Sequence, residues 1–276
     1  MSHLRIAGRA VVLTGASRGI GLSIARELAR RGAHLALVAR QAEGLERCAR
    51  QVRDEVPGCR TLVLPADVSD AAAIHDVVQR AAQHFGGLGG VVCNAGLAHP
   101  GYFEELPADV FERLCAVNYL GAVHTVRAAL PHVQRGGFIA LTSSVLGYMG
   151  AFGHTAYAGT KFALVGFAEC LRQELLQREI HVAVLCPPDT DTPGFAVERA
   201  ITPPETAALS ANAGLMHADD VARRFLRALE RRAFLINVNL STAVFHRAHR
   251  WFPSLTRAVM DRMVLAAQQR SSRSRS

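Results

Sequence analysis

Hydrophobic positions along this chain follow two rhythms. Short, nearly unbroken apolar runs recur: AVVLT (10–14), HLALVA (34–39), TLVLP (61–65), GVVCN (90–94), FIALTS (138–143), HVAVLC (181–186) and FLINV (234–238). Between them lie longer stretches with apolar residues at three- and four-residue intervals. In GLSIARELARRG (21–32), Ile24, Ala25 and Leu28 share one helical face, and Gly32 suits a C-terminal cap. Strands that are apolar at every position are buried on both faces, and helices between them make the connections parallel. The pattern therefore predicts an α/β fold: a doubly wound, Rossmann-type sheet of seven parallel strands with helices on both faces. Ligands of such sheets bind at the carboxyl ends of the strands.

The 276 residues suffice for one large domain with a substantial core, expected over 1–243, and a C-terminal extension over 244–276. No run reaches the roughly 18 apolar residues of a membrane span. The N-terminal apolar run leads straight into a glycine turn, which is not the layout of a signal peptide. Cysteines 48, 59, 93, 115, 170 and 186 are scattered and form no CxxC pair. They read as reduced, buried thiols of a cytoplasmic protein, with neither a disulfide frame nor a metal site. The formal charge of +8 is uneven: from residue 245 onward there are seven arginines and one aspartate. The basic character belongs to the tail, so no nucleic-acid partner is expected for the main domain. The final QRSSRSRS is low-complexity, and disorder is expected from about residue 270.

Directly after the first apolar run stands TGASRGIG, with glycines at 15, 19 and 21. The spacing is not GxGxxG, but the physics is shared: glycines permit a tight turn and the close approach of a pyrophosphate to free N–H groups at a helix N-terminus. Such a turn can also serve packing alone; its place at the first strand–helix junction favours a nucleotide. An NAD site carries an acid at the end of the second strand, whereas arginine accommodates the 2′-phosphate of NADP. Here Ala39 and Arg40 stand there, and Arg18 lies inside the glycine turn, so the expected cofactor is NADP(H). One residue type is also conspicuously rare. Thirty of the 31 basic residues are arginine, and Lys161 is the single lysine, four positions after Tyr157. On a helix this spacing places both on one face. An ammonium is a compact point charge, unlike the planar guanidinium, and a nearby positive charge favours a phenolate.

In order and spacing, TGASRGIG, ADVSD, CNAG (93–96), VNYLG, LTSS and YAGTK resemble the short-chain dehydrogenase/reductase family from about residue 7 to residue 240. The resemblance implies that Gly15, Ser17, Arg18, Gly19, Ile20 and Gly21 cradle the cofactor, with Arg40 at its 2′-phosphate. Asp67 and Val68 would border the adenine, and Asn94, Ala95 and Gly96 would line the cleft. It further implies that Tyr157 transfers the proton while Lys161 lowers its pKa and holds the nicotinamide ribose. Ser144 would bond the substrate carbonyl, and Asn118 would support Lys161 through a water. Chemistry alone does not separate Ser143 from Ser144; the family spacing selects Ser144. Tyr148, His154 and His99 lack such partners and read as loop or pocket-wall residues.

After the sixth strand the family usually reads Pro-Gly, whereas this chain reads CPPDTDTPGF (186–195), with Pro188 in the glycine position. This loop, the continuation GLMHADDVARRFLRAL and the extra C-terminal segment resemble the subgroup of the family that reduces 3-keto sphingoid bases. By that resemblance Pro187, Thr190 and Thr192 lie at the cofactor, and the substrate is a long-chain keto lipid reduced with NADPH. The sister activity on 3-oxoacyl thioesters, and an NADP(H)-binding protein without catalysis, are the alternatives. A homo-oligomer, dimer or tetramer, is expected. The tail mixes Phe245, Trp251, Phe252, Leu255, Val259, Met263 and Leu265 with arginines. Three roles fit it: a lid on the pocket, a peripheral contact with the inner face of a membrane, or a helix packed on its own domain.

Overall fold

A computed structural model describes residues 3–210 and 214–275, with side chains through residue 270. The first half alternates strictly. It runs β1 (Ala10–Thr14), α1 (Gly19–Arg30), β2 (His34–Ala39), α2 (Ala42–Glu55), β3 (Thr61–Pro65), α3 (Ala71–Phe85) and β4 (Leu88–Cys93). Then follow α4 (Ala108–Leu114), a π-helical turn over Cys115–Leu120, α5 (Gly121–Ala129), β5 (Val133–Thr142), α6 (Thr155–Glu174) and β6 (His181–Cys186). The last part holds β7 (Thr190–Asp191), α7 (Pro193–Ala200), α8 (Pro204–Ser210), β8 (Met216–His217), α9 (Ala218–Glu230), β9 (Leu235–Asn237), α10 (Leu240–Trp251) and α11 (Pro253–Arg275).

Seven strands pair in parallel in the order β3-β2-β1-β4-β5-β6-β9, as the apolar runs predict. Because successive strand residues point to opposite faces, each strand feeds two cores. Val11, Leu13, Leu35 and Leu37 pack under α1, α2 and α9. Ala10, Val12, Ala36 and Val38 pack under α3, α5 and α6. Helix α9 shows why the helices lie down on the sheet: Val221, Ala222, Phe225, Leu226 and Leu229 form one buried stripe. Its first-turn Asp219 accepts from Ser23 Oγ at 2.6 Å, tying α9 to α1. Gly32 adopts φ +79°, the left-handed conformation expected just past the end of α1.

One expectation differs from the structure. Cys115 and Cys170 are exposed while the other four thiols are buried, because each falls on the outward side of a helical segment.

Candidate active site

The turn between β1 and α1 is built around the absence of side chains. Gly15 and Gly19 hold φ values of +67° and +56°. A Cβ on Gly21 would lie 2.0 Å from the Gly15 carbonyl oxygen, and one on Gly15 would lie 2.8 Å from Ala95 Cα. Thr14 Oγ1 accepts from the backbone N–H groups of Asn94 (3.0 Å) and Ala95 (3.1 Å), and Asn94 Nδ2 donates to the Gly15 carbonyl at 3.3 Å. Thr142 Oγ1 donates to Asn94 Oδ1 at 3.4 Å. These bonds stitch together the carboxyl ends of β1, β4 and β5. Arg18 occupies the N-cap of α1 and makes no side-chain cap bond, so no side chain satisfies the first N–H groups of that helix. Residues 15 to 21 thus fit a dinucleotide pyrophosphate, the tight turn and the uncapped N-terminus being what such a group requires.

At the end of β2, half-buried Ala39 is followed by exposed Arg40. Asp67 faces the same corner. Its carboxylate accepts from Ser69 N (2.9 Å) and Ser69 Oγ (2.7 Å). Burial alone would raise the Asp67 carboxyl, but the Ser69 hydrogen bonds and the Arg40 charge hold it below its ordinary value. Val68 is buried, packed so closely that a Cβ on Gly121 would meet its Cγ2 at 2.8 Å.

Asn118 lies within the π-helical turn, a device that re-aims side chains out of regular helical register. Its Oδ1 accepts from Leu97 N at 2.8 Å, and its Nδ2 donates to Leu97 O (2.9 Å) and Thr160 Oγ1 (3.0 Å). Thr160 in turn donates to the Tyr157 carbonyl at 2.7 Å. The amide therefore joins the loop after β4 to α6, while Lys161 Nζ donates to the Thr142 carbonyl at 2.9 Å.

Lys161 is 3% exposed, and burial draws its pKa down to about 8. Its Nζ stands 5.4 Å from the centre of the Tyr157 ring. Burial, and after it the negative charge of Glu198, raise the Tyr157 pKa against the opposing influence of the nearby Ser144 hydroxyl. In this structure the ammonium sits over the ring and bonds a carbonyl, while burial and two carboxylates oppose the phenolate. The two serines separate cleanly. Ser143 is buried and donates its Oγ to the Lys161 carbonyl at 2.9 Å. Ser144 is the one that meets Tyr157, its Oγ also accepting from Leu146 N at 3.1 Å.

The proline loop closes the other side. Thr190 is buried and donates to the Pro188 carbonyl at 2.8 Å, while β7 pairs with β8. Thr192 Oγ1 caps α7 through Phe195 N at 3.1 Å, and a Cβ on Gly19 would lie 3.0 Å from Thr192 Cγ2. The loop thus reaches across to the glycine turn. Pro187 lines the cleft beside it.

One continuous cavity of about 1110 Å³ takes in the glycine turn, Arg40, Asp67, Ser144, Tyr157, Lys161 and Thr192. Phe245, Met260 and Met263, from α10 and α11, form part of its wall. Tyr148 holds that wall down, its hydroxyl donating to Asn237 Oδ1 at 3.0 Å and its ring lying 4.4 Å from His246. Sequence reasoning missed two polar residues, Asp189 and Glu198, which both line the cavity. His154, read as a loop or pocket-wall residue, does line it, buried with Nε2 3.4 Å from Glu198 Oε1. No periodicity or spacing signals that α7 brings Glu198 to His154; the acid at position 198 stands in an unremarkable VERA.

Comparison with known proteins decides the family. The family model for short chain dehydrogenases matches residues 9–201. This chain belongs to that family. The 3-ketodihydrosphingosine reductase of Bos taurus is 38% identical over 229 residues, covering 81% of this chain and 69% of the relative. The 3-dehydrosphinganine reductase of Danio rerio is 39% identical over 225 residues, covering 80% and 68%. Among solved structures, a short chain dehydrogenase from Burkholderia cenocepacia J2315, in complex with NADP, shares 31% identity. It superposes with a TM-score of 0.74, covering 85% of this chain and 98% of that one.

Proposed function

We propose that this short-chain dehydrogenase reduces the C3 ketone of a 3-keto sphingoid base, 3-ketodihydrosphingosine, to the alcohol, using NADPH. The reading is carried by one juxtaposition: the Ser144–Tyr157–Lys161 group opens into a cavity whose far wall is apolar and built from the C-terminal helices. The named relatives from cattle and zebrafish support the substrate, and the NADP-bound relative supports the cofactor. Arg40 without an acid at Ala39, together with Arg18, favours the 2′-phosphate.

In this reading NADPH supplies the hydride. Ser144 and Tyr157 then offer their hydroxyls to the carbonyl oxygen. A Tyr157 held above its ordinary pKa stays protonated at neutral pH, which is the state a proton donor in a reduction needs. Hydrogen bonds aimed at the developing oxyanion contribute on the order of 10² to 10³ in rate for each donor. Lys161 meets the phenolate left after transfer, and Asn118 and Thr160 fix the helical turn that carries Tyr157.

The exposed side chains Leu120 and Phe162 favour self-association as a dimer or tetramer. The outward Trp251, Phe252 and Leu255, set among arginines, favour a peripheral contact with the inner, anionic face of a membrane and a cytoplasmic location. No helix among the described residues is long and apolar enough to cross a membrane.

The test is turnover by the purified protein on 3-ketodihydrosphingosine and on a 3-oxoacyl thioester, each with NADPH and NADH. The ketone of the sphingoid base with NADPH is expected to give the highest kcat/KM, and Tyr157→Phe to remove turnover while NADPH still binds. A higher kcat/KM on the thioester would overturn the substrate, and equal use of NADH would overturn the cofactor.

A further inference from the structure

Around the catalytic tyrosine the charges have an unusual balance. Arginine saturates this chain, and elsewhere it pairs with acids readily: Glu27, Glu55, Asp219, Glu230 and Glu179 all hold guanidinium partners. Glu198 and Asp189 do not. Glu198, on α7, has His154 Nε2 at 3.4 Å as its partner. Among the described residues Asp189 has no hydrogen bond to its carboxylate, although it is half-buried in the cavity wall. The His154 ring has the Phe152 carbonyl on one nitrogen (3.2 Å) and Glu198 on the other. It can therefore pair with at most one of the two carboxyl groups, and that of Asp189 faces the cavity without a hydrogen-bond partner among the described residues.

These groups lie close to the chemistry: the His154 ring stands 6.2 Å from that of Tyr157, and after burial both carboxylates raise the phenol further. A bare acid beside a proton donor is a poor arrangement for an oxidoreductase acting on a neutral ketone, since it opposes every negative charge formed there. It becomes useful when the substrate brings a cation. In a 3-keto sphingoid base the carbon next to the ketone carries an amine, so an ammonium nitrogen sits two bonds from the carbon that is reduced. A 3-oxoacyl thioester carries no cation there, and the phosphates of its carrier would be repelled.

We infer that Glu198, positioned by His154 and backed by Asp189, is a specificity-determining residue that receives the ammonium of an α-amino ketone. The inference rests on the function proposed above and adds the group that separates aminoketones from plain β-keto substrates. Charge-assisted contacts in a partly dry cleft are stronger than neutral ones, and a site built for a polar group discriminates steeply against the analogue that lacks it.

The experiment compares kcat/KM for 3-ketodihydrosphingosine and for the same ketone without its amine, using wild type, Glu198→Gln and Asp189→Asn. Thermal unfolding and NADPH binding serve as controls for folding. Wild type is expected to prefer the aminoketone by 100-fold or more. Glu198→Gln should lose about 30-fold or more on the aminoketone and little or nothing on the deaminated ketone, and Asp189→Asn should lose less. A purely structural role would lower both substrates together, leaving their ratio unchanged, and that outcome overturns the inference while leaving the proposed function standing. A wild type that ignores the aminoketone altogether overturns both.

Discussion

Lys161 illustrates what a single buried residue costs and contributes. Its pKa falls from the ordinary 10.5 to about 8 on burial. Between those values the unfolded chain holds a proton that the folded chain has released, so stability rises with pH across that window. Below about pH 8 both states are protonated and the full cost is present, about 3 kcal/mol at 1.36 kcal/mol per pH unit. Lys161→Met removes it but leaves the Thr142 carbonyl without its donor, a loss of about 1–2 kcal/mol. The variant is therefore expected to be inactive yet about 1–2 kcal/mol more stable at pH 7, with a flatter stability profile from pH 8 to 10. Urea unfolding at pH 7 and pH 10 measures this; a variant less stable than wild type at pH 7 would contradict the burial argument. Function is here bought against stability at one identifiable atom.

At the scale of elements, the tail supplies what the doubly wound core lacks. The core ends at β9, and α10 and α11 then return to place Phe245, Met260 and Met263 in the cavity wall while α11 packs on α8. Each methylene of an alkyl chain moved out of water is worth about 0.8 kcal/mol. A chain ending after residue 243 is expected to bind NADPH normally but to show a sharply raised KM for long-chain ketones, with little change for a short, water-soluble β-keto analogue. Vesicle co-sedimentation with and without anionic lipid then separates a wall from a surface contact. Unchanged KM and unchanged vesicle binding would leave the tail as packing alone. The sequence made all seven sheet strands legible because each contains a short, mostly apolar run, although β4 and β5 begin earlier than their apolar runs. The early part of β5 passes through the polar Gln134 and Arg135, and its pairing with β4 shifts register between Leu88 and Gly90. The two-residue β7 and β8 carry no periodicity at all. The glycine turn and Tyr157 with Lys161 were legible because their spacing lies within one turn or one helix. Glu198 and His154 were not, since they meet across 44 positions through a loop whose path no local pattern encodes.

At the scale of the molecule, the sheet order reverses direction between β1 and β4, and the cleft opens where the two halves diverge. The tail carries most of the net positive charge, while Glu198 and Asp189 stand in the cleft wall without guanidinium partners, which suits a cationic head held at that end of the cleft. The exclusive use of arginine outside Lys161 has a consequence for reagents. The sequence offers a single ε-amine, and that amine is buried in the active cleft. Acylating probes that normally decorate a protein at many ε-amines should modify Lys161 slowly, at a rate set by opening of the cleft. Mass spectrometry of peptides cut after arginine would follow that one modification over time, and saturating NADPH should retard it. Rapid acylation indifferent to NADPH would mean that the amine is open to solvent. The molecule thus carries its own clock for the closing of its active site, written in the one residue its surface does without.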